Sequence, residues 1–254
     1  MKILMVSEDL PGVQLGGLGK HVVTLANALV VAGHDVITSL AGRTQDPKLP
    51  LGAVRTGGFG GVAGLIAYLH AEQIEWLVDA THPYADQMSA HAVAAAEASG
   101  VPLVRYLRPA WASQLGDNWL HVNSVAEAAT VLPAGARVLL TTGHAGLELF
   151  LTRDDCQFIV RTIEAPSLAL PANATLLQTR PPHSFSAERD LMARENITHL
   201  VTKNSGGTQT AAKLQAAREM GVAVVMIARP FYAPATEVDS VDGAIAAIVS
   251  GGML

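Results

Sequence analysis

The chain has 254 residues, half of them hydrophobic and only 15% charged, with a net charge of −5 at neutral pH. That length fits one large α/β domain or two small ones, and the acidic balance argues against a nucleic-acid partner, which usually meets a basic face. A single cysteine, Cys156, excludes an intrachain disulfide and a Cys-rich metal site, which suits a reducing cytoplasm.

Met1–Ser7 turns polar too soon for a signal peptide. No stretch approaches the roughly 20 apolar residues of a membrane span, so no membrane partner and a cytoplasmic location are expected. Ile3–Ser7 reads as a first strand and Val22–Val31 as a helix closed at Gly33. Val36–Leu40 is a strand, Val62–His70 a helix, and Trp76–Ala80 a strand stopping at Thr81-His82-Pro83. Gln87–Ser99 is a helix closed by Gly100, and Leu103–Tyr106 is the next strand. The pattern then restarts with a strand at Val138–Thr142, a helix around Gly146–Thr152 and a strand at Gln157–Arg161. Ala187–Glu195 is a helix with Ser186 as its N-cap. His199–Thr202 is a strand, Thr208–Met220 a helix, Val222–Ile227 a strand, and Val241–Val249 a last helix preceded by a short strand near Val238.

Strand–helix alternation implies parallel sheets with right-handed crossovers, and strands this apolar are covered on both faces. The expected fold is therefore α/β, with two doubly wound, Rossmann-like parallel-sheet domains and an interdomain cleft. The halves meet near Arg108–Gly116, giving domains 1–108 and 109–254. Ligands of such sheets bind at the carboxyl ends of the strands, so the loops that follow strands come first.

Several of those loops carry motifs: Ser39-Leu40-Ala41-Gly42-Arg43-Thr44, Gly57-Gly58-Phe59-Gly60-Gly61 and Asp79-Ala80-Thr81-His82-Pro83-Tyr84-Ala85. Further on come Arg105-Tyr106-Leu107-Arg108-Pro109-Ala110-Trp111, Leu140-Thr141-Thr142-Gly143, Thr202-Lys203-Asn204-Ser205-Gly206-Gly207 and Ile227-Ala228-Arg229-Pro230. In this order, from about Val36 to the end, the chain resembles the precorrin-6A reductase family. The resemblance implies an enzyme that passes hydride from NADPH to a double bond of the precorrin-6A macrocycle, giving precorrin-6B in cobalamin biosynthesis. It implies two α/β domains with the cofactor near the interdomain cleft; NADPH is expected on the first domain, with a small-molecule substrate, no metal, and a monomer or small homo-oligomer. Residues 1–36 differ from the family's Gly-Gly-Thr-x-Glu turn and resemble the opening of a two-domain glycosyltransferase, through Gly16-Gly17-Leu18-Gly19 and Gly33-His34-Asp35-Val36. A nucleotide-sugar-binding fragment and a non-catalytic tetrapyrrole carrier are therefore alternative readings.

The candidate residues follow from chemistry and position. Gly16, Gly17 and Gly19, with Lys20, suit a cofactor pyrophosphate at a helix N-terminus or form a bare turn. Ser39, Arg43 and Thr44 follow the second strand, where no acid stands; Arg43 suits the 2′-phosphate of NADPH or is a surface arginine. Gly58, Phe59 and Gly60 let the backbone pass close to the cofactor, or Phe59 tucks into the core. Thr81 completes the expected cofactor set. His82, Tyr84 and Lys203 are the catalytic candidates, His82 because histidine as a residue type can donate a proton or a hydrogen bond near neutral pH. Arg105, Arg108, Lys203, Asn204, Ser205, Gly206, Gly207 and Arg229 are expected to hold the substrate's carboxylate arms, with surface or structural ion pairs the plain alternative for the arginines.

Overall fold

In the strand Lys2–Val6 (β1), Ile3 and Met5 enter one apolar cluster while Leu4 and Val6 enter another. Successive strand residues point to opposite faces, so this unbroken apolar run requires helices on both sides. The computed structural model describes residues 1–7, 17–41 and 49–251.

After β1 come α1 (Gly17–Val31), β2 (Asp35–Leu40), β3 (Ala53–Thr56), α2 (Val62–Ala71), β4 (Trp76–Asp79), α3 (Asp86–Ser99) and β5 (Leu103–Tyr106). Next are β6 (Trp119–Val122), α4 (Val125–Thr130), β7 (Arg137–Leu140), α5 (Leu147–Leu151), β8 (Gln157–Thr162), β9 (Ala174–Gln178) and α6 (Phe185–Arg194). The chain continues through β10 (His199–Lys203), α7 (Ala212–Met220), β11 (Ala223–Ile227), β12 (Thr236–Val238) and α8 (Val241–Val249).

Two six-stranded sheets form, ordered β12-β5-β4-β1-β2-β3 and β6-β11-β10-β7-β8-β9, and every pairing is parallel. In the first, α1 (Val22, Leu25, Leu29) and α8 (Ala244, Ala247, Ile248) cover one face, and α2 (Leu65, Leu69) with α3 (Ala92, Ala95) cover the other. In the second, Met192 of α6 and Leu214 and Ala217 of α7 pack on Leu139, Leu200 and Val224, while α4 lies against β6 and β11.

The chain divides into one unit of residues 1–109 with 230 onward and a second of 110–229. The expected domain 109–254 thus loses its last segment to the first unit. β12 pairs with β5, Thr236 beside Val104 and Val238 beside Tyr106, and the apolar side of α8 joins the α1 cluster. Other boundaries move as well. α1 starts at Gly17 rather than Val22, so Gly17 and Gly19 are helical. Ser184, not Ser186, caps α6, its hydroxyl accepting the Ala187 N–H at 3.2 Å. α7 begins at Ala212 rather than Thr208, and ahead of it Gly206 and Gly207 take positive φ (69° and 82°).

Candidate active site

In the first sheet the chain runs from β1 outward to β2 on one side and to β4 on the other. This order reverses direction at β1/β4, which is where doubly wound sheets open a ligand crevice. Ser7, at the end of β1, is buried, and its Oγ meets no hydrogen-bond partner among the described residues. The first amides of α1 at Gly17–Lys20 have no intrahelical partner and point toward the same end. Gly16, Arg43 and Thr44 lie outside the described residues, as does the Lys20 side chain.

Beyond β4, a small recess is lined by His21, Ala80, Thr81, Pro83, Tyr106 and Arg108. His21 Nδ1 and Tyr106 Oη are 3.1 Å apart. Burial, with the charge of Asp239, pushes the Tyr106 phenol above its usual range, so it stays protonated. Tyr84 N–H donates to His82 Nδ1 at 3.2 Å, which places the proton of the neutral imidazole on Nε2. The two rings lie 5.8 Å apart.

Thr81 and Arg105 serve the turn itself. Asp79 Oδ1 accepts Thr81 N–H at 3.1 Å and Thr81 Oγ1–H at 2.7 Å. Arg105, 2% exposed, reaches Asp79 Oδ2 at 3.4 Å and Glu237 Oε1 at 2.9 Å and lies 4.9 Å over the Tyr232 ring. Its guanidinium therefore joins β4, β5 and β12.

At the far end of β2, Ser39 stands in register with Arg55 of β3. Arg55 Nη1 donates to Ser39 Oγ at 2.6 Å and to Gly57 O at 3.0 Å, and Nη2 donates to Gly58 O at 3.2 Å. The guanidinium lies 4.0 Å over Phe59 and 5.0 Å from Tyr68. Phe59 also packs on the α2–α3 cluster. Gly64 makes this possible: a Cβ there would stand 1.7 Å from Phe59 O. Arg55 escaped the sequence reading. Its only signal was a cation two residues before the glycine-dense loop, one of three, with Arg43 and Lys48, that follow the second strand.

The second sheet reverses between β7 and β10. Thr142, just past β7, is 5% exposed and its Oγ1 has no partner among the described residues. Past β10, Lys203–Gly207 forms a built loop. Trp111 N–H donates to Asn204 Oδ1 at 2.8 Å, and Asn204 Nδ2 donates to Trp111 O at 3.0 Å. Trp111 Nε1 donates to Gly207 O at 2.8 Å, and Arg229 Nε donates to Asn204 O at 2.9 Å. Ser205 N–H donates to Lys203 O at 2.8 Å. The structure thus brings Lys203, Asn204, Ser205, Gly206, Gly207 and Arg229 together. The helix expected to present its N-terminus here starts further on, at Ala212. No metal-binding group of side chains occurs among the described residues, and no described helix is long and apolar enough to cross a membrane.

Residues 15–249 match the precorrin-6x reductase family (CbiJ/CobK). This chain belongs to the precorrin-6x reductase family. It is 46% identical over 234 residues to a precorrin-6A reductase of Rhodococcus erythropolis, covering 91% of this chain and 94% of that one. It is 42% identical to a precorrin-6A reductase of Rhodobacter capsulatus, over 81% of this chain and 83% of the relative. A solved CobK precorrin-6A reductase superposes with a TM-score of 0.86 at 36% identity, covering 99% of this chain and 98% of that chain. The family match begins at residue 15, upstream of Val36, and so takes in Gly16, Gly17 and Gly19. The solved CobK precorrin-6A reductase thus shares the fold of two parallel-sheet α/β domains.

Proposed function

We propose that this precorrin-6x reductase catalyses the reduction of precorrin-6A to precorrin-6B in cobalamin biosynthesis, with NADPH as hydride donor. The observation that carries the reading is the 46% identity to a precorrin-6A reductase over 91% of the chain. NADPH, when bound, supplies the hydride. The first unit fits such a cofactor. Ser7 Oγ is buried and has no partner among the described residues at the β1 end, and the group beside Ser39 at the β2 end is a guanidinium instead of the carboxylate that favours NADH. Gly16, Gly17, Gly19, Ser39, Arg43, Thr44, Gly58, Phe59, Gly60 and Thr81 form the proposed cofactor set.

On the substrate side, Lys203, Arg108 and Arg229 are assigned to the acidic arms of the macrocycle, with Ser205 and the Gly206–Gly207 backbone. Asn204 shapes that loop through Trp111. Arg105 is assigned to holding strand ends, since Asp79 and Glu237 enclose it. His82, held by Tyr84, is the proposed proton or hydrogen-bond donor. The chain's contribution is chiefly orientation and exclusion of water, since hydride transfer asks for little covalent chemistry from protein groups.

Titration with NADPH and with NADH, followed by nicotinamide fluorescence, tests the reading, together with turnover of precorrin-6A. NADPH binding and production of precorrin-6B are expected. Pigment binding with no nucleotide binding would replace the reductase by a tetrapyrrole carrier.

A further inference from the structure

We propose that Arg55 selects NADPH over NADH by pairing with the 2′-phosphate of the adenosine ribose, an inference that rests on the NADPH reading above. Counting outward from the β1/β4 reversal, β2 and β3 are the strands over whose carboxyl ends a dinucleotide's adenosine lies. An acid at the end of β2 would take the ribose hydroxyls, but here Ser39, Leu40 and Ala41 stand there. The register places Arg55 directly beside Ser39.

The guanidinium is prepared for an anion. Most described arginines meet a carboxylate, as Arg105, Arg153, Arg161 and Arg218 do. Arg55 forms no ion pair among the described residues. It donates to a hydroxyl and two carbonyls, all of them neutral. Those bonds use three of its five N–H groups, so among the described residues Nε–H and one Nη2–H remain to fork onto a phosphate. The Phe59 ring at 4.0 Å and the Tyr68 ring at 5.0 Å hold the plane of the group, which lowers the ordering entropy of binding. A purely structural clip would serve either cofactor equally, whereas a phosphate contact discriminates.

The test is calorimetric titration of the full chain with adenosine 2′,5′-bisphosphate and, separately, with AMP, in wild type and in Arg55→Gln and Arg55→Lys. Melting temperatures report folding. The wild type is expected to favour the bisphosphate. Arg55→Gln should lose roughly ten- to a hundredfold of that affinity, with AMP binding unchanged. Arg55→Lys should keep part of the preference. The NADPH-over-NADH ratio in kcat/KM should fall in parallel. If Arg55→Gln keeps the wild-type preference while the wild type uses NADPH, the Arg55 inference fails and the cofactor reading stands. If both variants lose bisphosphate and AMP together, Arg55 merely holds the loop, and the inference fails as well. If the wild type binds neither nucleotide, the NADPH reading fails and takes Arg55 with it.

Discussion

Asn204 and Trp111 form a two-way clamp: Trp111 N–H donates to Asn204 Oδ1 at 2.8 Å, and Asn204 Nδ2 returns a bond to Trp111 O at 3.0 Å. A side-chain amide thus stands in for a strand neighbour and fixes the loop after β10. Asn204→Ala leaves a part-buried N–H and C=O without their partners, which costs about 1–3 kcal/mol. A lower urea midpoint with an unchanged m-value is expected. Asn204→Asp keeps the acceptor but loses the donor, and should fall between wild type and Asn204→Ala.

Lys203 begins that loop and is proposed to bind a substrate carboxylate. Lys203→Ala is expected to raise KM for precorrin-6A about tenfold or more while kcat changes little, as for an interaction made equally in the ground and transition states. Steady-state kinetics checks this. A collapse of kcat at constant KM would instead give Lys203 a role in the chemical step.

Gly64 lies in α2 where a Cβ would meet Phe59 O at 1.7 Å. Gly64→Ala must displace the Gly57–Gly61 loop, and with it the ring beneath Arg55. An overpacking loss of about 1–3 kcal/mol is expected, together with weaker NADPH binding. Gly135→Ala is the control, since the space around its Cβ is open. Its positive φ of 78° still costs some stability, but NADPH affinity should hold.

Arg161 and Glu188 form a buried pair, Nη1 lying 2.9 and 2.8 Å from the two carboxylate oxygens, with side chains 8% and 1% exposed. Removing one partner strands a buried charge. Glu188→Ala is expected to cost about 3–5 kcal/mol. The double replacement Arg161→Met with Glu188→Leu should recover most of that, because desolvation of the pair disappears with it. Chemical denaturation of the wild type and the two variants distinguishes a stranded charge from lost packing.

Burial pushes the imidazoles of His183 and His199 below the usual histidine range, and the charge of Arg161 adds to the effect at His183. A depressed base is neutral in the folded chain, while the unfolded chain protonates near pH 6.5. As pH falls through that value the unfolded state takes up more protons, and stability declines. The melting temperature is expected to drop between pH 7 and pH 5.5. The drop should shrink in the variant carrying His183→Gln and His199→Gln. An unchanged slope would place the titrating groups elsewhere.

The sequence by itself determined the two doubly wound halves, because strands buried on both faces must be apolar throughout. β1, β4, β7 and β11 announce themselves by such runs, and β5 and β10 by shorter ones that Arg105 and Thr202 interrupt. It also exposed the strand-end loops, since glycine, proline and charge interrupt those runs. The four edge strands were different. β3, β6 and β9 went unread and β12 was only sensed, because an edge position buries so little of a strand that no apolar run results. Tertiary structure alone decided that residues 236–249 return to the first sheet, since pairing to β5 depends on an edge far away in sequence. It alone brought Arg105 against Glu237 and Asn204 against Trp111, because these partners are distant along the chain. And it alone set Arg55 beside Ser39: parallel register joins residues that no local pattern connects.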